Sequence, residues 1–557
     1  MSEGAAPVST TRAPVPQGAL PSDEARRHAA STGTWLSLWA RTLGDAEAVI
    51  SPTGNRSFRE LSANTNRLAR AFRAAGLRPG DAVALVCGNR PAFVESVQAC
   101  LQAGLRYTPV NWHLTAHEVA YVVQDCGAKA VLADADYAYV MRDVRVRCPQ
   151  VALWLVVGGA VTGFDDYETI LAQHDPSELT DPVLGCRMLY TSGTTGYPKG
   201  VVRPPNYSTH LEALTTAPKY RAGSGQLNLC TGPYYHGGPL SFSLLAPLSA
   251  GVGVVIMERF DAEEALSLIA KHRVTHTHMV PIMFHRLLRL PEEVRARYDV
   301  SSMQYLLHGA AACPIETKRA MLSWFGPVLW EYFAATEGSG ASVGSAEWLK
   351  RPGTVGRPPT PDHLRILDDE GRECPAGVAG RVHIKRGDED FEYWNDPEKT
   401  ARARRGGYFT VGDIGFLDED GFLFITDRDA NLIVSGGVNI YPAEVEAVLL
   451  THPAVRDVAV IGVPNAEWGE EVKAVVEWAP AATRDESATS ADAGAGADRA
   501  RTAAMAALSA ELIAYCRARV AHFKCPKSVD IVEHLPRLDN GKLYRDKLRA
   551  AYRGDAP

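Results

Sequence analysis

The densest run of chemically capable residues in the chain is Thr191-Ser192-Gly193-Thr194-Thr195-Gly196-Tyr197-Pro198-Lys199-Gly200, directly after CRMLY. Its Ser and Thr hydroxyls, glycine backbone N–H groups and one ammonium can together surround a polyphosphate. The spacing is not that of a Walker A loop, which sets two glycines five apart and a Ser or Thr after the lysine. Here Gly193 and Gly196 are three apart and Gly200 follows Lys199. The competing reading is a flexible surface turn.

Two other patterns are weaker. Gly340-Ala341-Ser342-Val343-Gly344 satisfies G-x-S-x-G, but a nucleophile elbow needs a strand before the serine and a helix after it. The preceding ATEGSG reads as a glycine-rich loop, and no long helical pattern follows, which argues against a hydrolase. His272, His276 and His278 lie in KHRVTHTHMVP, where a helix end runs into a strand. No cysteine or carboxylate nearby completes a metal set, so these read as packed or surface histidines. The ten cysteines contain no C-x-x-C pair and read as reduced thiols of a cytoplasmic protein.

These residues need a scaffold. The chain has 557 residues, of which 46% are hydrophobic, enough for three or four units at about 100–200 residues each. Amphipathic runs such as RELSANTNRLARAFRAAG alternate with short apolar runs such as AVALVCG and AVLAD, the rhythm of a parallel sheet covered by helices. It resumes in ALWLVVGG, in GVGVVIM before AEEALSLIAKH, and in QYLLHG before PIETKRAMLSWF. Residues 356–424 change to short strands with glycine turns, a small β subdomain. Beyond Asp427 an α+β unit follows, with helices at AEVEAVLLTH and AALSAELIAYCRARV and strands at VRDVAVIGV and EVKAVVEW.

The remaining segments bound the function classes. Residues 1–30 are rich in Pro, Ala and Ser and hold no apolar core of signal-peptide length, so a disordered tail is expected. The uncharged stretch Gly237–Met257 carries Pro239 and Pro247 and reads as a buried helix followed by a buried strand, not a membrane span. Residues 481–505 lack large apolar side chains apart from one methionine and are expected to form a flexible insertion. With 58 Lys and Arg against 65 Asp and Glu, interspersed, no basic stripe exists for nucleic acid.

TSGTTGYPKG resembles the phosphate-binding signature of the adenylate-forming superfamily: acyl-CoA synthetases, firefly luciferases and peptide-synthetase adenylation domains. Further signatures stand in the same order: PYYHGG (233–238), LLHGAAACP (306–314), EYFAATEG (331–338), YFTVGDIG (408–415), TDRDANLIVSGGVNIYPAEVE (426–446) and LPRLDNGKLYR (535–545). The resemblance is greatest to bacterial fatty-acid or aryl-acid CoA ligases. It implies an α/β fold with a large N-terminal domain (31–427) of two parallel α/β subdomains plus a small β subdomain. A small mobile α+β lid domain (428–557) follows.

The resemblance implies ATP, Mg²⁺ and coenzyme A as cofactors or co-substrates, a small-molecule carboxylic acid as substrate, and allows a homodimer. Thr191, Ser192, Gly193, Thr194, Thr195, Gly196 and Lys199 correspond to the loop that holds the outgoing phosphates. Thr336 corresponds to an α-phosphate contact and Glu337 to the Mg²⁺ ligand. Asp413 and Arg428 correspond to the ribose contacts, and Gly309, Ala310 and Ala311 with Tyr332 and Phe333 to the adenine pocket. Phe333 stands where a Tyr is common and Ala334 where a Gly is common. His236 corresponds to an acid-pocket gate and Lys542 to the lysine bridging carboxylate and α-phosphate. Gly436 and Gly437 correspond to the pantetheine tunnel, and Ala430 to the hinge about which the lid rotates. A non-CoA acceptor (an amine, a carrier protein or nitrite) and a non-catalytic nucleotide-binding protein remain alternatives.

Overall fold

The computed structural model describes residues 20–191, 198–203, 219–387, 391–428, 431–435, 438–465, 468–478, 494–537 and 543–553. Among these, two eight-stranded sheets dominate the first part of the chain. One runs in the order Glu392–Tyr393, Lys199–Val202, Cys186–Thr191, Arg106–Pro109, Ala82–Val86, Ala128–Asp134, Leu153–Val157, Asp165–Asp166. Its central strands are parallel, and Ala82–Val86 is buried throughout, which is why AVALV is unbroken by polar residues. The strand still alternates: Val83 and Leu85 join a core with Phe72 and Phe93, whereas Ala82, Ala84 and Val86 join Val119, Val122 and Met141. Both faces are thus covered by helices, as the alternation of apolar and amphipathic runs requires.

The second sheet carries most of the chemistry. Its order is Gly338–Gly344, Leu329–Ala335, Tyr305–His308, His276–Met279, Leu227–Cys230, Gly253–Ile256, Glu47–Ile50, Arg56–Ser57. The strands from Leu329–Ala335 to Glu47–Ile50 pair in parallel, and Gly338–Gly344 closes one edge as an antiparallel hairpin. Across the middle, Asn228, His276 and Tyr305 stand in one register row, and Cys230, His278 and Leu307 in the next row on the same face.

A small antiparallel sheet includes Leu364–Leu367, Gly380–Lys385, Asp413–Leu417 and Leu423–Arg428. A mixed sheet built from Ile433–Ser435, Val438–Ile440, Val455–Asn465, Gly469–Trp478 and Ser528–Val532 forms the C-terminal unit with its own core around Val458, Val460, Val476 and Leu512.

Three expectations change. Residues 23–30, assigned to the tail, belong to the helix Asp23–Thr32, capped by the Ser22 hydroxyl (3.2 Å from Ala25 N) and ended by Gly33 at φ 73°. Composition hid a helix whose Ser cap, acidic first turn and following glycine are plain end signals. Residues 494–505, assigned to the insertion, open the helix Gly494–Arg517. Apart from Met505 they lack large apolar side chains to bury, but alanine is the best helix former and propensity carries them. ATEGSG, read as a loop, is the tip of the hairpin, with Ala335 paired to Gly338. Gly237–Met257 folds as short helical segments, one of them a π turn at Ser241–Leu245, followed by the strand Gly253–Ile256. Among the described residues no helix is long and apolar enough to cross a membrane.

Candidate active site

The hairpin Leu329–Ala335/Gly338–Gly344 leaves two residues for its turn, Thr336 and Glu337. Glu337 is only 8% exposed, and its Oε1 accepts a hydrogen bond from the Tyr393 hydroxyl at 2.7 Å. Tyr393 is brought there by the strand Glu392–Tyr393, which pairs with Val201 and Val202. Burial, then the Glu337 charge, push the Tyr393 phenol above its usual range. Thr191 and Lys199 face each other in register, so they pin the two ends of the intervening loop. Lys199 Nζ donates to Asp396 Oδ2 at 2.7 Å, a bond that holds the Asp396 carboxyl below its usual range. Asp396 also caps the helix Pro397–Ala403. Lys399 lies 4.0 Å over the Tyr393 ring, and burial, followed by the nearby Lys199, lowers its pKa. Two cations and two carboxylates therefore gather at the mouth of the loop.

Tyr393, Asp396 and Lys399 went unnoticed in the sequence. The Asp-Pro pair in YWNDPEKT marks a helix start, but nothing local ties Asp396 to a lysine 197 positions away.

Gly309, Ala310 and Ala311 follow the strand Tyr305–His308. Gly309 is buried, while Ala310 and Ala311 are exposed. A Cβ on Gly309 would lie 2.6 Å from both the Tyr332 ring and its carbonyl oxygen, so only glycine lets the chain pass. Ala310 holds φ 64°, a left-handed conformation that costs a non-glycine residue energy and is found where function demands it.

Tyr332 and Phe333, placed together against one ring by the resemblance, leave opposite faces of their strand. Tyr332 faces Phe242 (ring centroids 4.9 Å apart), and its hydroxyl is 3.0 Å from His278 Nε2. Phe333 packs over Gly340 and beside the core of the small β sheet. Strand alternation is the reason that both cannot line one pocket.

Asp413 opens its strand at 4% exposure, directly across from Arg428. His236 occupies the N-cap position of the helix Gly237–Leu240, its ring 4.4 Å from Tyr235, which meets Trp112 edge-on. Gly238 rests on the His278–Tyr332 pair, where a Cβ would come within 2.9 Å of His278 Cε1. The structure thus brings His236, Gly309 and Tyr332 around one site. Ser192, Gly193, Thr194, Thr195, Gly196, Ala430, Gly436, Gly437 and Lys542 lie outside the described residues.

The other patterns find no site. Ser342 sits mid-strand, paired with Tyr332 and exchanging backbone hydrogen bonds of 3.1 Å with Arg357; this is no strand-to-helix elbow. His276 is 2.8 Å from Thr275 Oγ1 and His278 is bonded to Tyr332. Among the described residues no group of three His, Cys, Asp or Glu converges as a metal cage. All ten cysteines are free thiols.

Comparison with known proteins bears on this arrangement. Residues 36–388 match the model of the AMP-binding enzyme family and residues 444–542 that of the AMP-binding enzyme C-terminal domain. A feruloyl-CoA synthase of Amycolatopsis is 32% identical over 522 residues, covering 93% of this chain and 99% of that protein. A 2-succinylbenzoate–CoA ligase of Geobacillus kaustophilus is 33% identical over 518 residues, covering 92% and 97%. The solved structure of the amide bond synthetase McbA from Marinactinospora thermotolerans superposes with a TM-score of 0.74 at 26% identity, covering 94% of this chain and all of that one. The ordered signatures, the two-part α/β architecture and these matches over nearly the whole length agree: the chain belongs to the AMP-binding enzyme family, the adenylate-forming superfamily.

Proposed function

We propose that the protein is an ATP-dependent carboxylic acid:CoA ligase, which forms an acyl-adenylate and then an acyl thioester. The observation that carries the reading is the gathering of Glu337, Lys199 and their partners Tyr393 and Asp396 at the phosphate-loop mouth. Similarity to a feruloyl-CoA synthase and a 2-succinylbenzoate–CoA ligase supports CoA as acceptor.

A carboxylate is a poor electrophile, and its attack on the α-phosphate of ATP is opposed by like charge. The residues here address that repulsion. Lys199 and the hydroxyls of the 191–200 loop take the charge of the departing pyrophosphate, in a site partly shielded from water where such contacts strengthen. Asp413, a buried acceptor-only group, suits the two ribose hydroxyls together with Arg428. Phe333 can stack on adenine but offers no phenol hydrogen bond, while Gly309, Ala310 and Ala311 present backbone to the opposite side. Thr336 reaches the α-phosphate from the hairpin turn. Glu337 is one hard oxygen donor held by Tyr393; that fits a Mg²⁺ ion completed by phosphate oxygens, which would neutralise charge on the triphosphate. Lys542 bridges the substrate carboxylate and the α-phosphate in the first half-reaction. Rotation of residues 428–557 about Ala430 then brings Gly436 and Gly437 to the thiol tunnel, while His236 gates the acid pocket.

Carboxylate-dependent ATP–pyrophosphate exchange tests the reading. Lys542→Ala is expected to lower exchange by about 100-fold or more with an unchanged circular dichroism spectrum; unimpaired exchange removes Lys542 from its role. Likeness to an amide bond synthetase favours one alternative, transfer to an amine. Product analysis with CoA and with amines separates the two: exchange without any thioester assigns the acceptor elsewhere.

A further inference from the structure

The chemistry above leaves one buried charged cluster without a task. Lys318, in the opening turn of the helix Ile315–Phe325, has no exposed surface, and Glu331 is 4% exposed. Lys318 Nζ donates to Glu331 Oε2 at 2.5 Å. The same ammonium lies 4.6 Å over the Trp348 ring, and His308 Nε2 stands 3.7 Å from the same carboxylate oxygen. Such a pair is a poor source of stability. Burial raises the Glu331 pKa and lowers that of Lys318, so for each partner desolvation outweighs the attraction of the other. Apolar side chains of similar volume commonly replace a buried ion pair with no loss of stability.

What the pair fastens is the two ends of one loop. Glu331 is the register partner of His308, the last residue of the strand Tyr305–His308, and Lys318 stands at the start of the helix that follows. Residues 309–314 run between these anchors. Among the described residues, no backbone hydrogen bond outside the helices and strands involves residues 309–313. Ala310 nevertheless keeps φ 64°, and Ala310, Ala311 and Ala312 are exposed. A strained backbone persists only where its surroundings over-determine it. One end is wedged at Gly309, where a Cβ would lie 2.6 Å from the Tyr332 ring; the other is tied by Lys318.

We propose, resting on the adenylation reading above, that Lys318 and Glu331 are positioning residues: their buried ion pair holds residues 309–313 in the conformation that reads the nucleotide base, and so sets the preference for adenine over guanine. Adenine presents an exocyclic amine, a donor, where guanine presents a carbonyl, an acceptor. Backbone carbonyls of Gly309, Ala310 and Ala311 that bond to no other backbone group among the described residues accept from the first and repel the second. They do so only while the strained turn keeps them in place. Neutral side chains at 318 and 331 fill the same space but leave the turn free to relax, which costs base selectivity and not the fold. The pair therefore acts on the base through the loop, without touching the nucleotide.

Calorimetric titration of the full-length protein with ATP and with GTP, with no carboxylic acid present, tests this. The readout is the ratio of dissociation constants, GTP over ATP, in which any partial loss of folded protein cancels. The ratio is expected to be at least about 10 in the wild type, because an unmatched polar group in the base site goes unpaired. In the double variant Lys318→Met/Glu331→Leu it is expected to fall below about 3 through weaker ATP binding, with pyrophosphate binding within about 2-fold of wild type and the melting temperature within about 3 °C. Glu331→Gln keeps the shape and one acceptor, and is expected to lower the ratio by about 3-fold; it carries the test should the double variant not fold. A wild-type ratio near one overturns the proposal. So does a wild-type ratio retained in both variants, and a lowered melting temperature beside it assigns the pair to stability alone. A ratio that falls as expected, with no acid-dependent pyrophosphate exchange in the wild type, keeps the base-reading loop and removes the adenylation. Binding of neither nucleotide removes both.

Discussion

His278 shows how one buried residue ties the site to pH. It is 2% exposed, hydrogen-bonded to Tyr332, and burial pushes its pKa down to about 3. An unfolded histidine titrates near 6.5, so between the two values the unfolded chain binds a proton that the folded chain refuses. The stabilisation is complete above pH 6.5 and is lost as pH falls toward 3, at a limiting slope of about 1.4 kcal/mol per pH unit. The melting temperature is expected to fall between pH 6.5 and 4, less steeply in His278→Gln; an unchanged slope in that variant assigns the acid sensitivity to other groups. Nothing in THTHM announces this environment. The same is true of Lys318, fully buried on the helix Ile315–Phe325 with its ammonium 2.5 Å from Glu331 Oε2, where PIETKRAM reads as an ordinary amphipathic helix.

Neighbouring backbone positions in one element respond oppositely to the same kind of change. After the strand Tyr305–His308, Ala310 occupies a left-handed conformation at φ 64° while Gly309 is wedged against Tyr332. Ala310→Gly is expected to relieve strain of roughly 1 kcal/mol, partly offset by the freer unfolded chain. Gly309→Ala drives a methyl into the Tyr332 ring and carbonyl and is expected to cost about 1–3 kcal/mol. Urea unfolding of both variants checks the pair: shifts of the same sign refute the local account. The elements themselves were largely legible. Parallel strands buried on both faces favour unbroken apolar runs, as AVALV, AVLAD and GVVI show, whereas the equally buried HTHM does not. The helix at Asp23–Thr32 is equally legible through its Ser22 cap and Gly33 stop, end signals that a Pro-, Ala- and Ser-rich composition masks.

On the scale of the molecule, the C-terminal unit touches the large one through defined polar contacts. Arg289 donates to the backbone carbonyls of Pro453 and Val455, and His285 Nε2 lies 3.0 Å from Arg456 O. Desolvation lowers the pKa of both His285 and Arg289. The charge-assisted bonds of Arg289 to carbonyls at the start of the strand Val455–Asn465 orient one unit against the other. Arg289→Ala is expected to broaden the distance distribution between paired labels on the two units and to leave the melting of the large unit within about 1 kcal/mol of wild type. An unchanged distribution shows that other contacts set the arrangement.

The order of TSGTTGYPKG, PYYHGG, LLHGAAACP, EYFAATEG, YFTVGDIG and LPRLDNGKLYR along the chain by itself determined the family and the alternating α/β architecture, and it supplied the residues proposed above to bind the nucleotide. These are properties of local pattern: period, cap, turn and short motif survive being read one window at a time. Which face a residue serves was not among them. Tyr332 turned away from Phe333, Tyr393 came to hold Glu337, Asp396 met Lys199, and Asn228 was left with an unsatisfied oxygen beside Tyr220. Each depends on register and on packing between segments distant in the chain, and a one-residue shift of a strand would exchange every one of its faces. Only the tertiary structure decides that.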